Sequence, residues 1–172
     1  REAIRICKSL SPRVDSTEAE AHAVLGRAFQ PMEQPARAIP ELEEALRLRE
    51  KLSGSESAAY AAFLVDLAMV QSQAADVDRA RTSFARAIRV FERDPVANAR
   101  ALGTAYNNLA GLERSQGRLA EAVEMTRRGY ELAKQTDGEN SLTATRSKIN
   151  LAFQFLLLDD APGAVALLRE AI

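Results

Sequence analysis

A period of 42 residues constrains this chain more than any other feature. Leu25-Gly26, Leu67-Ala68, Leu109-Ala110 and Leu151-Ala152 each set a large residue before a small one, always at that spacing. A second column is alanine throughout: Ala38, Ala80, Ala122 and Ala164. A third, Ala45, Ala87, Gly129 and Ala171, is small throughout. Small residues at fixed places let two helices approach closely while the neighbouring leucine fills the groove between them. One such unit cannot bury its own face, so consecutive units must stack.

The units read as helices. The chain is 47% hydrophobic, but its aromatics are only 5% and Trp is absent; Ala and Leu, both strong helix formers, carry the apolar content. Ala21, Val24, Leu25, Ala28 and Phe29 recur at spacings of three and four, which predicts a helix with one buried face. Thr17 and Glu20 have the spacing of a capping box that would start it. Pro31 and Pro35 bracket the following turn, and Pro40 places the start of the return helix near itself. Further helices are expected over 58–73, 77–92, 96–116 and 119–135, and from Leu142 onward with a turn at Asp159-Asp160. The resulting division is the end of a preceding helix over 1–10, then units at 16–52, 57–93, 96–135 and 142–172. Connections this short make successive helices antiparallel neighbours.

Several function classes are disfavoured. A net charge of -1 lacks the basic excess of a nucleic-acid protein, and no apolar run is long enough to span a bilayer. One cysteine and one histidine, Cys7 and His22, cannot build a metal cluster. No phosphate-binding loop or dinucleotide fingerprint is present, so neither a metal, a cofactor nor an enzyme activity is expected. His22 reads as a packed helix residue, and Cys7 as a small hydrophobe in a reducing, cytoplasmic setting. The first residue is Arg1, and Arg1-Glu-Ala-Ile4 recurs as Arg169-Glu-Ala-Ile172. The chain therefore reads as a fragment of a longer array, and self-association through its end surfaces is one expectation.

The columns resemble those of the tetratricopeptide repeat family across essentially the whole chain. Tyr106-Asn-Asn-Leu-Ala110, the Ser115-Gln-Gly-Arg118 turn and the long unit are similar to kinesin light chain-type repeats, a type also widespread in bacterial multidomain proteins. The resemblance implies an all-α fold, a right-handed α-α superhelix of antiparallel helix pairs. Departures from the pattern are local. Gln71 and Glu113 stand where Phe29 and Phe155 stand in the outer units, and Thr126 replaces the bulk of Leu42, Phe84 and Leu168. Looser outer packing is expected around Thr126.

The resemblance also implies an inner surface lined by the first helix of each unit, including Ala23, Val65, Gly111, Thr104, Ile149 and Leu156. Arg27, Met69, Asn107, Arg114, Arg146 and Phe153 are the candidate binding residues on it. The arginines suit carboxylates or a peptide backbone, and Met69 and Phe153 suit apolar side chains. The apolar end near Phe153 fits a surface covered by a further unit equally well. Asn107 matches an asparagine that kinesin light chain repeats turn toward extended peptides, whereas Asn108 and Asn150 are expected to bond a neighbouring unit's backbone. The chaperone-tail clamp of Lys and Asn found in some members is missing, since Ala23, Arg27, Met69 and Gly111 occupy those places. The implied function is a non-catalytic protein-protein interaction scaffold that takes a peptide or partner helix in its concave groove. The alternative is a sensor or regulatory domain of a larger bacterial signalling protein.

If the alanine column marks helix contacts, Ala122→Leu overpacks one of them. The variant should lose about 1–3 kcal/mol in urea unfolding; an unchanged midpoint would mean that the columns are misaligned.

Overall fold

A computed structural model describes residues 14–169, and over these residues the chain forms eight α-helices and no strand. In chain order they are α1 (Val14–Phe29), α2 (Pro35–Ser53), α3 (Ala58–Gln73), α4 (Val77–Phe91), α5 (Ala99–Ser115), α6 (Leu119–Asp137), α7 (Leu142–Leu157) and α8 (Ala161–Arg169). Cys7, Ala171 and most of the two Arg-Glu-Ala-Ile segments lie outside the described residues. The chain divides into two compact bodies, Arg1–Val90 and Phe91–Ile172. In the first, α1 packs on α2, and α2 and α1 both touch α3. In the second, α5 packs on α6, α6 on α7 and α7 on α8.

One turn makes every hairpin. Glu33, Ala75, Gly117 and Asp159 all have positive φ, at 52°, 60°, 73° and 61°, and they stand one period apart. The residue after each donates its N–H back across the turn: Gln34 to the Phe29 carbonyl, Asp76 to Gln71, Arg118 to Glu113 and Asp160 to Phe155, at 2.9–3.2 Å. This left-handed residue satisfies carbonyls that the ending helix leaves free. Only one of the four turns uses glycine, so the other three carry the cost of a side chain at positive φ.

The connections between hairpins come in two kinds. Gly54 (φ 80°) and Gly138 (φ 92°) precede Ser57 and Ser141, whose hydroxyls accept from the Tyr60 and Ala144 N–H groups at 3.2 and 3.1 Å. These are serine N-caps. The connection between α4 and α5 has neither residue. There Asp94 Oδ1 accepts from Ala97 N at 3.0 Å, and Asn98 Nδ2 donates to the Asp94 carbonyl at 2.9 Å. These turn bonds hold Val96 outside the helix, so α5 starts at Ala99 and not at 96.

Two other expectations change. α1 is already helical at Val14, so Thr17 sits inside it and cannot adopt the extended backbone of a cap. Glu20 instead accepts from Arg49 Nη2 at 2.5 Å. α2 begins at Pro35 and runs through Pro40. Pro35 occupies the first turn, where its missing N–H costs nothing, and the Gln34 carbonyl takes the first bonds, from Arg37 and Ala38.

The columns are the core. Ala38, Ala80, Ala122 and Ala164 are all 0% exposed. Leu67, Leu109 and Leu151 are buried, while Leu25 is half-buried. The polar replacements are buried in pairs. Gln71 Oε1 accepts from Ser83 Oγ at 2.9 Å, and Glu113 accepts from Arg118 Nε. Thr126 is 1% exposed and accepts from Gln154 Nε2 at 2.8 Å, so a neighbouring amide closes the place where a bulky side chain is missing.

Two glycines of these columns differ in purpose. A Cβ on Gly26 would lie 2.5 Å from Leu42 Cγ, whereas one on Gly129 would meet nothing closer than Tyr106 Cβ at 3.7 Å. Gly26→Ala should therefore lower stability by about 1–3 kcal/mol through overpacking. Gly129→Ala should raise it by about 0.5–1 kcal/mol through helix propensity. Equilibrium urea unfolding of both variants tests the opposite signs.

Candidate functional site

The second body contains a cleft of about 490 Å³ between α5, α6 and α7. Its walls include Arg100, Thr104 and Asn107 from α5, and Thr143, Arg146 and Ser147 from α7. Gly103, Gly129 and Ala133 also line it, and their small size leaves the space open. Asn107 is placed by its neighbour. Tyr106 is buried, and its hydroxyl donates to Glu92 Oε1 at 2.6 Å; the next residue on the helix, about 100° round, lines the cleft. Burial, then the hydrogen bond and charge of Glu92, push the Tyr106 phenol up to about 12. Arg128 stands beside the same carboxylate, 3.8 Å from Glu92 Oε1.

The loop from α6 to α7 lies beside the cleft, next to the lining residue Asp137. Glu139 ties it down: it accepts from the Tyr130 hydroxyl at 3.2 Å and lies 3.5 Å from Lys134 Nζ and 3.7 Å from Lys148 Nζ. Lys148 is itself buried, with its ammonium 5.6 Å from the Tyr130 ring centre. The charge of Lys134, then the Tyr130 hydrogen bond and the charge of Lys148, hold the Glu139 carboxyl below its ordinary value.

The candidate residues separate into distinct settings. Asn107 and Arg146 share the cleft. Arg114 and Phe153 meet each other, the guanidinium carbon 5.8 Å from the ring centre, and Phe153 is 50% exposed beside exposed Ile149 and Leu156. In the first body Arg27 is engaged by Asp66 Oδ2 at 2.6 Å, and Met69 is half-buried. Burial raises the Asp66 carboxyl, against the lowering effect of Arg27. Ala23 and Val65 are buried and line no open surface. Asn108 Nδ2 is buried without a partner, so it does not donate the backbone bond expected of it, and Asn150 is exposed. Helix carbonyls nearby already accept helical bonds, which leaves such an amide little to reach. His22 Nδ1 lies 2.7 Å from Glu41 Oε2, a structural contact between α1 and α2. Arg100 also lines the cleft, and groove spacing alone did not single it out. Its signal was a charge where the units before and after have Ala58 and Leu142.

Among the described residues no group of His, Cys, Asp and Glu could hold a metal ion. No described helix is long and apolar enough to cross a membrane.

Two family models described as tetratricopeptide repeat match residues 17–93 and 102–141. No curated protein sequence matches the chain. Among solved structures, BtubC (BKLC) from P. vanneervenii is similar over 99% of this chain and 68% of that one, with a TM-score of 0.83 and 18% identity. A putative kinesin light chain from Podosopora anserina, with nearly identical TPR-like repeats, is similar over 99% of this chain and 84% of its own, with a TM-score of 0.76 and 18% identity. A single-residue variant of that protein has a TM-score of 0.77. Each fold is that of stacked helix hairpins.

Because its carboxylate is favoured in the folded state, Glu139 stabilises the fold at neutral pH. That contribution is lost as pH falls below about 4.5, through the depressed folded value. Glu139→Gln should therefore unfold at lower urea than the parent at neutral pH, with the two midpoints converging as the pH is taken progressively below 4.5. Parallel midpoints across that range would show that the charge contributes nothing.

Proposed function

Since the chain belongs to the tetratricopeptide repeat family, whose members generally mediate protein-protein interaction, we propose that it is a non-catalytic scaffold binding an extended segment of a partner protein along α5 and α7. The observation that carries this reading is the shared cleft of Asn107 and Arg146. Asn107 has a donor and an acceptor for a peptide backbone, and Arg146 a planar fork of donors for carbonyl or carboxylate oxygens. Small residues in its lining leave space for a partner side chain. The exposed Ile149, Phe153 and Leu156 continue along α7 from Arg146. They offer an apolar strip to the same segment, with Arg114 stacked on Phe153. An extended chain laid over polar and apolar groups in this way gains backbone hydrogen bonds for affinity and side-chain contacts for selectivity.

Combining Asn107→Ala with Arg146→Glu should abolish capture of a binding peptide while leaving the helical circular dichroism spectrum unchanged, because both side chains lie outside the packed columns. Undiminished capture by the double variant would place the binding surface elsewhere on the molecule.

A further inference from the structure

Beyond the cleft, we propose that Tyr130, Lys134 and Lys148 form a seat for a phosphate group, free or as a small monoester, which Glu139 fills with its own carboxylate until a phosphate displaces it. The donors come from two helices, Tyr130 and Lys134 from α6 and Lys148 from α7, and they converge on one point. The Tyr130 hydroxyl lies 3.2 Å from Glu139 Oε1, and Lys134 Nζ and Lys148 Nζ lie 3.5 and 3.7 Å from that same oxygen. These distances are long. A charge-assisted bond runs at roughly 2.7–2.9 Å from an ammonium and roughly 2.5–2.7 Å from a hydroxyl. One oxygen shared among three donors serves none of them at full strength. A phosphate brings three strong acceptor oxygens and a second negative charge near neutral pH, so each donor takes an oxygen of its own. The Lys148 side chain is only 4% exposed, with its ammonium against the Tyr130 ring, so its position is set before a ligand arrives. Glu139 is 49% exposed and follows Gly138 in the loop. It is the member of the cluster that can leave toward solvent while both helices stay packed.

The repeat itself does not call for this cluster. One period before Lys134 and Lys148 stand Glu92 and Tyr106, and there the hydroxyl donates straight to the carboxylate at 2.6 Å. Two periods before stand Glu50 and Leu64, the leucine buried. The same place in the scaffold is therefore closed by a short direct bond or by an apolar side chain. At the junction of α6 and α7 two ammoniums approach one point instead, and like charges so placed repel unless an anion stands between them. The anion now there comes from the loop, at a position where the earlier units have Ser55 and Ala97. Two lysines and a hydroxyl around a replaceable carboxylate are thus a departure from the array's own rule, and a phosphate satisfies it better than the carboxylate does. None of the four residues lines the cleft, so the seat stands or falls independently of the peptide reading.

Titrating the isotope-labelled protein with sodium phosphate at neutral pH tests this through its amide NMR shifts, with ionic strength held constant by sodium chloride so that screening does not change. The expected result is a saturable shift centred on Gly138, Glu139 and Lys148, with sodium acetate needing about tenfold more to reach half-saturation. Glu139→Ala should half-saturate at about tenfold less phosphate, because the competing carboxylate is gone. A merely structural role for Glu139 would not tighten an anion. Lys134→Met and Tyr130→Phe should each weaken phosphate about tenfold. Lys134 is 42% exposed, so its loss leaves the packed core alone, and unmoved resonances in α5 check this. Glycerol phosphate in place of inorganic phosphate separates the two sources: tighter binding of the ester identifies a monoester ligand, and equal or weaker binding identifies free phosphate. Shifts no larger than those from chloride or acetate overturn the seat. So does a phosphate affinity that Glu139→Ala fails to raise, or one indifferent to both Lys134→Met and Tyr130→Phe.

Discussion

The close approach of Gly26 to Leu42 is the constraint from which the rest of the architecture follows. A single added carbon at Gly26 would lie 2.5 Å from the Leu42 side chain, so α1 and α2 are nearer than any side chain at position 26 would allow. The same column holds alanine in the later units, each almost wholly buried. A helix pair packed this tightly has little apolar bulk between its own members, and its remaining apolar face must be covered by the next helix. Stacking is thus a consequence of small residues as much as of large ones. The alanines at 38, 80, 122 and 164 make the same demand from the second helix of each pair.

The periodic residues were legible in the sequence because stacking imposes one rule on every unit. The small and leucine columns and the turn at Gly117 could all be read from residue type and spacing. Other features were hidden by the absence of an obligatory residue. Glu33, Ala75 and Asp159 adopt positive φ without being glycine, since the turn's hydrogen bond outweighs the modest cost of a side chain there. The Thr17 and Glu20 spacing matched a capping box, yet a helix already running through Val14 made it irrelevant. Pro40 likewise looked like a helix start, although Pro35 filled that role. Local propensity was overruled in both cases by where the neighbouring turn placed the chain.

The candidate site was legible only in part, and for a physical reason. Spacing along a helix gives a direction but not what the side chain meets there. Arg27 and Arg146 were equivalent guesses on that basis, but Asp66 engages Arg27 while Arg146 remains unpaired at the cleft. Ala23 and Val65 fell on the nominal inner face, and packing removed both from it. Arg100 lies near the start of α5, beyond the stretch of helix from which the groove residues were drawn.

Gly26 and Gly129 show how one device serves two ends. Both are small-column residues, yet at Gly26 the space a side chain would take is filled by Leu42, and at Gly129 it borders the cleft. A Cβ added at Gly129 would stand 3.8 Å from Asn107 Oδ1, in ordinary contact with the group that the proposed ligand would meet. Helix propensity disfavours glycine at this interior position, and packing does not require it, so the residue is a small cost to folding that widens the cleft. Gly103, whose missing side chain would meet nothing within 4 Å, does the same on α5. Two glycines and two unpaired arginines around one cleft are departures that the array's own packing does not need, and the binding role proposed for the cleft would account for all four together.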